Sequence, residues 1–307
     1  MFAKYPVPRF MNQAFTKGNE MHIDWFIRLG RGENLRKVPH LPFAISKKMA
    51  HYFVEEQGRR QIEDAFIYGI IRGMGGSREL TRQILANTQY DFYQHPQFWA
   101  TVFRFLVDHP KLSFDQISPL MDYIHFQKFE PQMRVIRRTQ LVSNGPPQPN
   151  FEMKGRTVTS LIRAMEKWHE EYRMNTLNRG KEREKLIRWA PVKVRDFKCL
   201  VDEGPQSGEY RIVQLLNNWE LMDEGKTLGH CVASYVYACT QKRASIWSFF
   251  RDEGKKRMTK LLTIEMNNHN RNLVQIRGAH NSRALDWQME IIHQWVKQEK
   301  LKISEWV

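Results

Sequence analysis

The chain has 307 residues, 41% hydrophobic and 12% aromatic, enough for one large core or two ordinary ones and unlike a disordered polymer. Forty-eight Lys and Arg against 33 Asp and Glu leave a formal charge of +15, which favours polyanionic partners, nucleic acid before an anionic membrane surface. Three cysteines (Cys199, Cys231, Cys239) exclude a disulfide framework and fit a reducing cytoplasm, and no apolar run reaches the roughly 18 residues of a membrane span.

Prolines and glycines punctuate residues 1–43, predicting an extended arm with one short helix around His22–Leu29. The opening M-F-A-K-Y-P-V-P-R-F has prolines where an export signal needs a continuous apolar run. From Ser46 the period becomes helical. Met49, Ala50, Phe53 and Val54 share one face, and Ile62, Ala65, Phe66, Gly69 and Ile70 continue in a second helix. Gly73, Gly75 and Gly76 stop it, and Ser77 caps the helix Arg78–Asn87. Pro96 opens another, with Phe98, Trp99, Val102, Phe103 and Leu106 as its apolar stripe. Ser113 with Gln116 fits a capping box and Leu112 with Ile117 the accompanying hydrophobic staple, so a further helix runs on through Gln127. Residues 44–142 are therefore expected to be an α-helical domain.

Ser143–Gly155 carries three prolines and two glycines, so residues 143–156 are expected to be a linker. Thr157 caps a helix in which Leu161, Met165, Trp168 and Tyr172 form one packing face. Between Lys128 and Lys198 stand 17 Lys or Arg against eight Asp or Glu. Arg134, Arg137 and Arg138, then Arg179, Lys181, Arg183, Lys185 and Arg188, are interleaved with Trp168, Tyr172 and Trp189. Basic groups neutralise phosphates and aromatic faces stack on unpaired bases, so the stretch reads as a non-specific nucleic-acid surface. The alternating K-E-R-E-K run is also what a solvated helix face looks like.

Residues 157–307 continue into an α+β region. Tyr210–Leu215 reads as a strand and Asn217–Glu224 as a short helix stopped by Gly225. A second helix is expected from Gly229, carrying Cys231, Tyr235 and Cys239 on one side. Ser245–Arg251, Lys260–Met266 and Asn272–Gly278 alternate as strands. Matching polarity sets Glu265 opposite Gln275 and Thr263 opposite Arg277, with Leu262, Ile264 and Met266 meeting Val274 and Ile276 on the buried face. Ser282 caps a last helix with Leu285, Met289, Ile292 and Val296 inward. The expected fold is α+β, an N-terminal helical bundle followed by a small antiparallel sheet covered by helices.

The run G-x-x-L-x-H-C-V-x-x-Y (Gly225, Leu228, His230, Cys231, Val232, Tyr235), followed by S-I-W-S, L-L-T-I-E and V-Q-I-R-G-x-x-N, resembles the PcfJ-like proteins of bacteria and their conjugative plasmids. P-F-A-I-S-K-K-M-A-H-Y-F, H-P-Q-F-W and M-K-G-R-T upstream are similar to longer chromosomal members, so the resemblance covers roughly residues 40–300. It implies a bacterial protein linked to mobile elements. Gly229 stands where the family commonly has a larger residue, which predicts a looser start to the helix that follows.

The chemistry is read from residue types. His230, Glu265 and Arg277 are the catalytic candidates, with Cys231, Tyr235, Gln275 and Asn281 completing a polar pocket. Imidazole and carboxylate suit acid–base work while guanidinium and amide hold an anionic group, as in a transferase or hydrolase of nucleic acid or nucleotides. Cys231 is a nucleophile only with a suitable base, and adjacent His230 points about 100° away on a helix; Cys231 as a small buried apolar group is the alternative. A zinc site on His230, Cys231 and Cys239 lacks a fourth ligand, so neither metal nor cofactor is expected. A non-catalytic adaptor, whose polar residues only stitch sheet to helices, is the third reading.

Overall fold

The structure, a computed structural model, describes residues 5–55, 61–87, 92–131, 133–136, 140–143, 145–178, 186–202, 204–230, 232–254 and 258–303. It is mixed α+β, and the chain divides into two compact units. One takes in Met1–Leu85, Tyr90–Ser118 and Glu152–Val158; the other takes in Ala86–Gln89, Pro119–Phe151 and Thr159–Val307. Among the described residues no helix is long and apolar enough to cross a membrane.

The first unit is helical. The short helix expected around His22–Leu29 is α2 (Glu20–Gly30), while the chain before it forms α1 (Gln13–Lys17) instead of an extended arm. The Asn19 side chain accepts from the His22 N–H and caps α2. Met11 and Trp25 are fully buried, and the Trp25 ring packs on Phe66 at 5.4 Å. Helices α3 (Lys47–Glu55), α4 (Ile62–Met74), α5 (Arg78–Ala86) and α6 (Pro96–Asp108) form where helices were expected, and the stripes of α4 and α6 face inward, but in α3 Met49 and Phe53 are buried while Val54, expected on the same face, is exposed. In α7 (Phe114–Phe129) the Ser113 N–H donates to Gln116 Oε1, one half of the capping box, and Leu112 and Ile117 are buried. The division between the units falls inside α7, at Ser118 and Pro119. In the second unit, strands β1 (Met133–Ile136) and β2 (Gln140–Ser143) pair antiparallel where no strands were expected. Helix α8 (Val158–Asn178) starts after Thr157, as its cap predicted.

The second unit is built on a six-stranded sheet, ordered as it is numbered: β3 (Phe197–Val201), β4 (Gly208–Gln214), β5 (Ala244–Asp252), β6 (Met258–Asn267), β7 (Asn272–Arg277) and β8 (Lys302–Ile303). The first five pair antiparallel and β8 joins β7 in parallel, so the sheet is larger than the four strands the alternation disclosed. β3 escaped notice because its F-K-C-L-V sits in the basic stretch, and β8 because two residues carry no period. One face presents Tyr210, Ile212, Trp247, Phe249, Leu262 and Ile264 to α11 (Asp286–Glu299), where Ile291, Ile292 and Trp295 complete the core.

Thr263 pairs with Arg277 and Glu265 with Gln275, the register that polarity matching predicts. A β-bulge follows at Glu265/Met266, so Met266 meets Leu273 and not a partner in phase with Val274; Leu273 is the buried residue. Two polar rungs therefore cross the sheet on the face opposite α11: Ser248–Thr263–Arg277, and Ile246–Glu265–Gln275.

Helix α9 (Asn218–Leu228) lies over this second face, with Leu221, Glu224, Gly225 and Leu228 buried at helical spacing. Gly225 does not stop it. A Cβ there would come within 2.7 Å of the His230 carbonyl oxygen, so glycine serves close approach within the helix. The stop is Gly229, left-handed at φ 68°, whose N–H and that of His230 both return to the Gly225 carbonyl. The expected long helix from Gly229 is thus a 3-10 turn, Val232–Tyr235, leading into the short α10 (Val236–Thr240). Gly229 ends one helix tightly and does not loosen the next.

Candidate active site

The two polar rungs form the floor of a small cleft, about 40 Å³, within the second unit. Gln275 and Arg277 come up from β7, Thr263 and Glu265 from β6, His230 from the turn after α9 and Tyr235 from the 3-10 turn. Asp122 and Pro119 on α7 and His169 on α8 complete it, with Val232 and Ile246 as apolar wall.

Tyr235 Oη lies 2.9 Å from Glu265 Oε2 and 3.2 Å from Asp122 Oδ2, and all three residues are buried. A phenol has one proton, so it donates to one carboxylate and accepts from the other; the second contact needs a proton on that carboxyl. Burial, then the charge of Glu265, hold the Asp122 carboxyl well above the usual carboxylate range, which assigns the proton to Asp122. With its proton on, Asp122 donates to Tyr235 and Tyr235 donates to Glu265, while Asn87 Nδ2 approaches Asp122 Oδ1 at 3.5 Å.

A second chain of contacts starts at Glu224, whose side chain is completely buried. Ser248 Oγ and Lys260 Nζ each lie 2.9 Å from its Oε2, and Thr263 Oγ1 lies 2.9 Å from its Oε1. Thr263 Oγ1 is also 2.9 Å from His230 Nε2. Burial lowers the His230 pKa to about 4, with Lys260 and His280 pushing the same way, so the imidazole is neutral near pH 7. His169 is likewise lowered to about 4 by burial, and its Nε2 faces the Pro119 carbonyl. Burial pushes the Glu224 carboxyl up, against the opposing effect of Lys260.

Of the residues singled out from sequence, His230, Tyr235, Glu265, Gln275 and Arg277 line this one cleft. Asn281 ends a 3-10 turn, Ala279–Asn281, with its side chain outside the described part. Cys231 lies outside the described residues. Cys239, expected to share its side, is buried, and burial raises its thiol pKa, the setting of an inert cysteine. Arg134 pairs with Val142 through the backbone of β1; Arg137, Arg138, Arg179, Lys181, Arg183 and Lys185 lie outside the described residues. Arg188 is exposed and bridges to Asn217.

Asp122, His169, Glu224 and Lys260 escaped sequence reasoning. Two left a trace. Asp122 interrupts the apolar run L-M-D-Y-I, and Glu224 occupies the apolar face of α9 with Leu221 and Leu228. An acid on a buried stripe is costly unless something pairs with it. Among the described residues no group of three or more His, Cys, Asp or Glu is placed to hold a metal ion.

Comparison with curated proteins and with solved structures finds no match. The family model of the PcfJ-like proteins matches residues 122–292, a span that opens on the buried Asp122, takes in every other cleft residue except Pro119 and covers more than half of the chain. By that match the chain belongs to the PcfJ-like protein family.

Proposed function

We propose that the protein is an acid–base enzyme acting on nucleic acid or nucleotides, a hydrolase or a transferase. The observation that carries this reading is the tyrosine-bridged pair Asp122 and Glu265, the first with its pKa raised by burial, in a cleft that also holds a neutral imidazole and a guanidinium. Two carboxyls on one hydroxyl, of which burial favours the protonated form of Asp122, would supply a proton donor and a proton acceptor at one pH. Arg277 at the end of a polar rung would hold an anionic group of the substrate. The formal charge of +15 supports a polyanionic partner. That same charge favours a second reading, a nucleic-acid-binding protein linked to mobile elements without catalysis.

Fluorescence anisotropy with labelled single-stranded DNA and RNA across a salt series, followed by product analysis, separates the two. The expected result is salt-dependent binding by wild type and Glu265→Gln alike, with turnover of the bound strand or an added nucleotide only by wild type. Binding without any turnover leaves the second reading standing. Affinity for nucleic acid no greater than for polyglutamate removes both.

A further inference from the structure

We propose that Glu224 and Thr263 are positioning residues which fix His230 as the Nε2–H tautomer, leaving Nδ1 as the nitrogen able to take up a proton. The proposal deepens the acid–base reading of the same cleft and rests on it for its functional meaning. It stands on a count of hydrogens.

Thr263 has one hydroxyl proton and two neighbours within hydrogen-bond distance, Glu224 Oε1 and His230 Nε2, both at 2.9 Å. It therefore donates to one and accepts from the other. Glu224 decides which. Its other oxygen faces the Ser248 hydroxyl and the Lys260 ammonium, and Lys260 also reaches Asp223 Oδ2 at 2.6 Å. A hydroxyl and an ammonium converging on that one oxygen are the surroundings of an ionised carboxylate, and Lys260 offsets the burial that pushes the carboxyl up; its other oxygen then only accepts. Thr263 then gives its proton to Glu224 and its lone pair to His230 Nε2–H. A neutral ring holds one N–H, so Nδ1 carries no proton and lies against the residue's own backbone, a contact that raises the His230 pKa and so favours taking one up.

The fold supplies each part separately. Glu224 is held on the apolar face of α9, and His230 is set six residues on by the turn in which two N–H groups return to Gly225. Thr263 and Ser248 are cross-strand partners, so one rung of the sheet meets the same carboxylate twice. Lys260 lies nearer the start of β6 and closes the relay at its far end. The charged and titratable groups acting on His230 are thus Lys260 and His280 directly and Glu224 through Thr263.

The substitution Glu224→Gln makes a directional prediction. An amide nitrogen facing Lys260 would set donor against cation, so Gln turns its oxygen to Lys260 and Ser248 and its NH2 to Thr263. Thr263 must then donate to His230 Nε2, and the ring switches to the Nδ1–H tautomer. Two-bond 1H–15N correlations of the histidine side chains read this directly, with His230 assigned among the 11 histidines by the signal lost in His230→Gln. The expected pattern is Nε2–H in wild type and Thr263→Ser, Nδ1–H in Glu224→Gln, and a mixture in Thr263→Val. A wild-type ring already in the Nδ1–H form overturns the proposal, as does a folded Glu224→Gln protein that keeps Nε2–H. If Glu224→Gln does not fold, Thr263→Val against Thr263→Ser decides: an unchanged tautomer in the valine variant overturns the proposal. The tautomer is measured without substrate, so its failure is distinct from absence of turnover.

Discussion

The two faces of the six-stranded sheet are made by alternate residues of the same strands, yet different forces hold them. Toward α11, Trp247, Phe249, Leu262 and Ile264 meet Trp295 and Ile292 in dry apolar packing. On the other side their neighbours Ser248, Thr263 and Glu265 meet Glu224, His230 and Tyr235 through hydrogen bonds. Apolar burial stabilises by area, whereas buried polar groups roughly break even once their partners are all in place. The sheet thus separates stability from chemistry by one residue of phase: one face makes the strands stay, and the other can carry charges because the first does not need them.

The sharpest way to break that contrast is to cut one side chain from each face of β5. Trp247 is fully buried with its ring centroid 4.9 Å from that of Trp295, so Trp247→Ala is expected to cost about 3–5 kcal/mol. Its neighbour Ser248 gives one hydrogen bond to the buried carboxylate of Glu224, and Ser248→Ala is expected to cost about 2 kcal/mol. Urea midpoints at a common slope measure both. Equal losses would mean that the polar face is as much a core as the apolar one.

This division was readable in sequence to an unequal degree. Alternation in L-L-T-I-E-M against L-V-Q-I-R fixed which residues of β6 and β7 share a face, because a one-residue slip would bury Thr263 and Glu265 against α11. The bulge after Glu265 was not readable, since an extra residue in one strand leaves both periods intact. The roof of the cleft was harder still. Asp122 and His169 come from helices more than 60 residues before His230, and a helical stripe does not say which sheet it will cover. Glu224 and Lys260 looked like solvent charges because their pairing lies 36 positions apart in the chain. The basic cluster, the strongest compositional signal, falls mostly on residues outside the described ones.

The faces should also differ in their response to acid. Burial depresses the His230 pKa from 6.5 to about 4, so between those values the unfolded chain binds a proton that the folded one refuses. Stability from this group is present above about pH 6.5 and is lost as pH falls toward 4, to a total of about 3 kcal/mol. Glu130, raised to about 7 by burial, acts oppositely, favouring the fold at low pH and losing that contribution as pH rises from 4.5 to 7. Glu130 and His169 are common to wild type and His230→Gln, so the difference between their stability–pH curves isolates His230. The gap is expected to close as pH falls from 6.5 to 4, as measured by urea unfolding. Parallel curves would mean that His230 is hydrated, and the polar face would then be open solvent rather than a built site.

The smallest effects test the placement of one proton. Tyr235→Phe removes the hydroxyl that serves Asp122 and Glu265 and is expected to cost about 1–2 kcal/mol. Asp122→Asn should cost almost nothing, within about 0.5 kcal/mol. A neutral Asp122 donates to Tyr235 from Oδ2 and accepts from Asn87 at Oδ1, and an amide placed the same way does both. If Asp122 were the ionised partner, its amide would instead present an N–H where Tyr235 had been donating, and Asp122→Asn would be as damaging as Tyr235→Phe. Thermal unfolding of the two variants side by side therefore locates the proton, because only a carboxyl that already carries it can be replaced by an amide without loss.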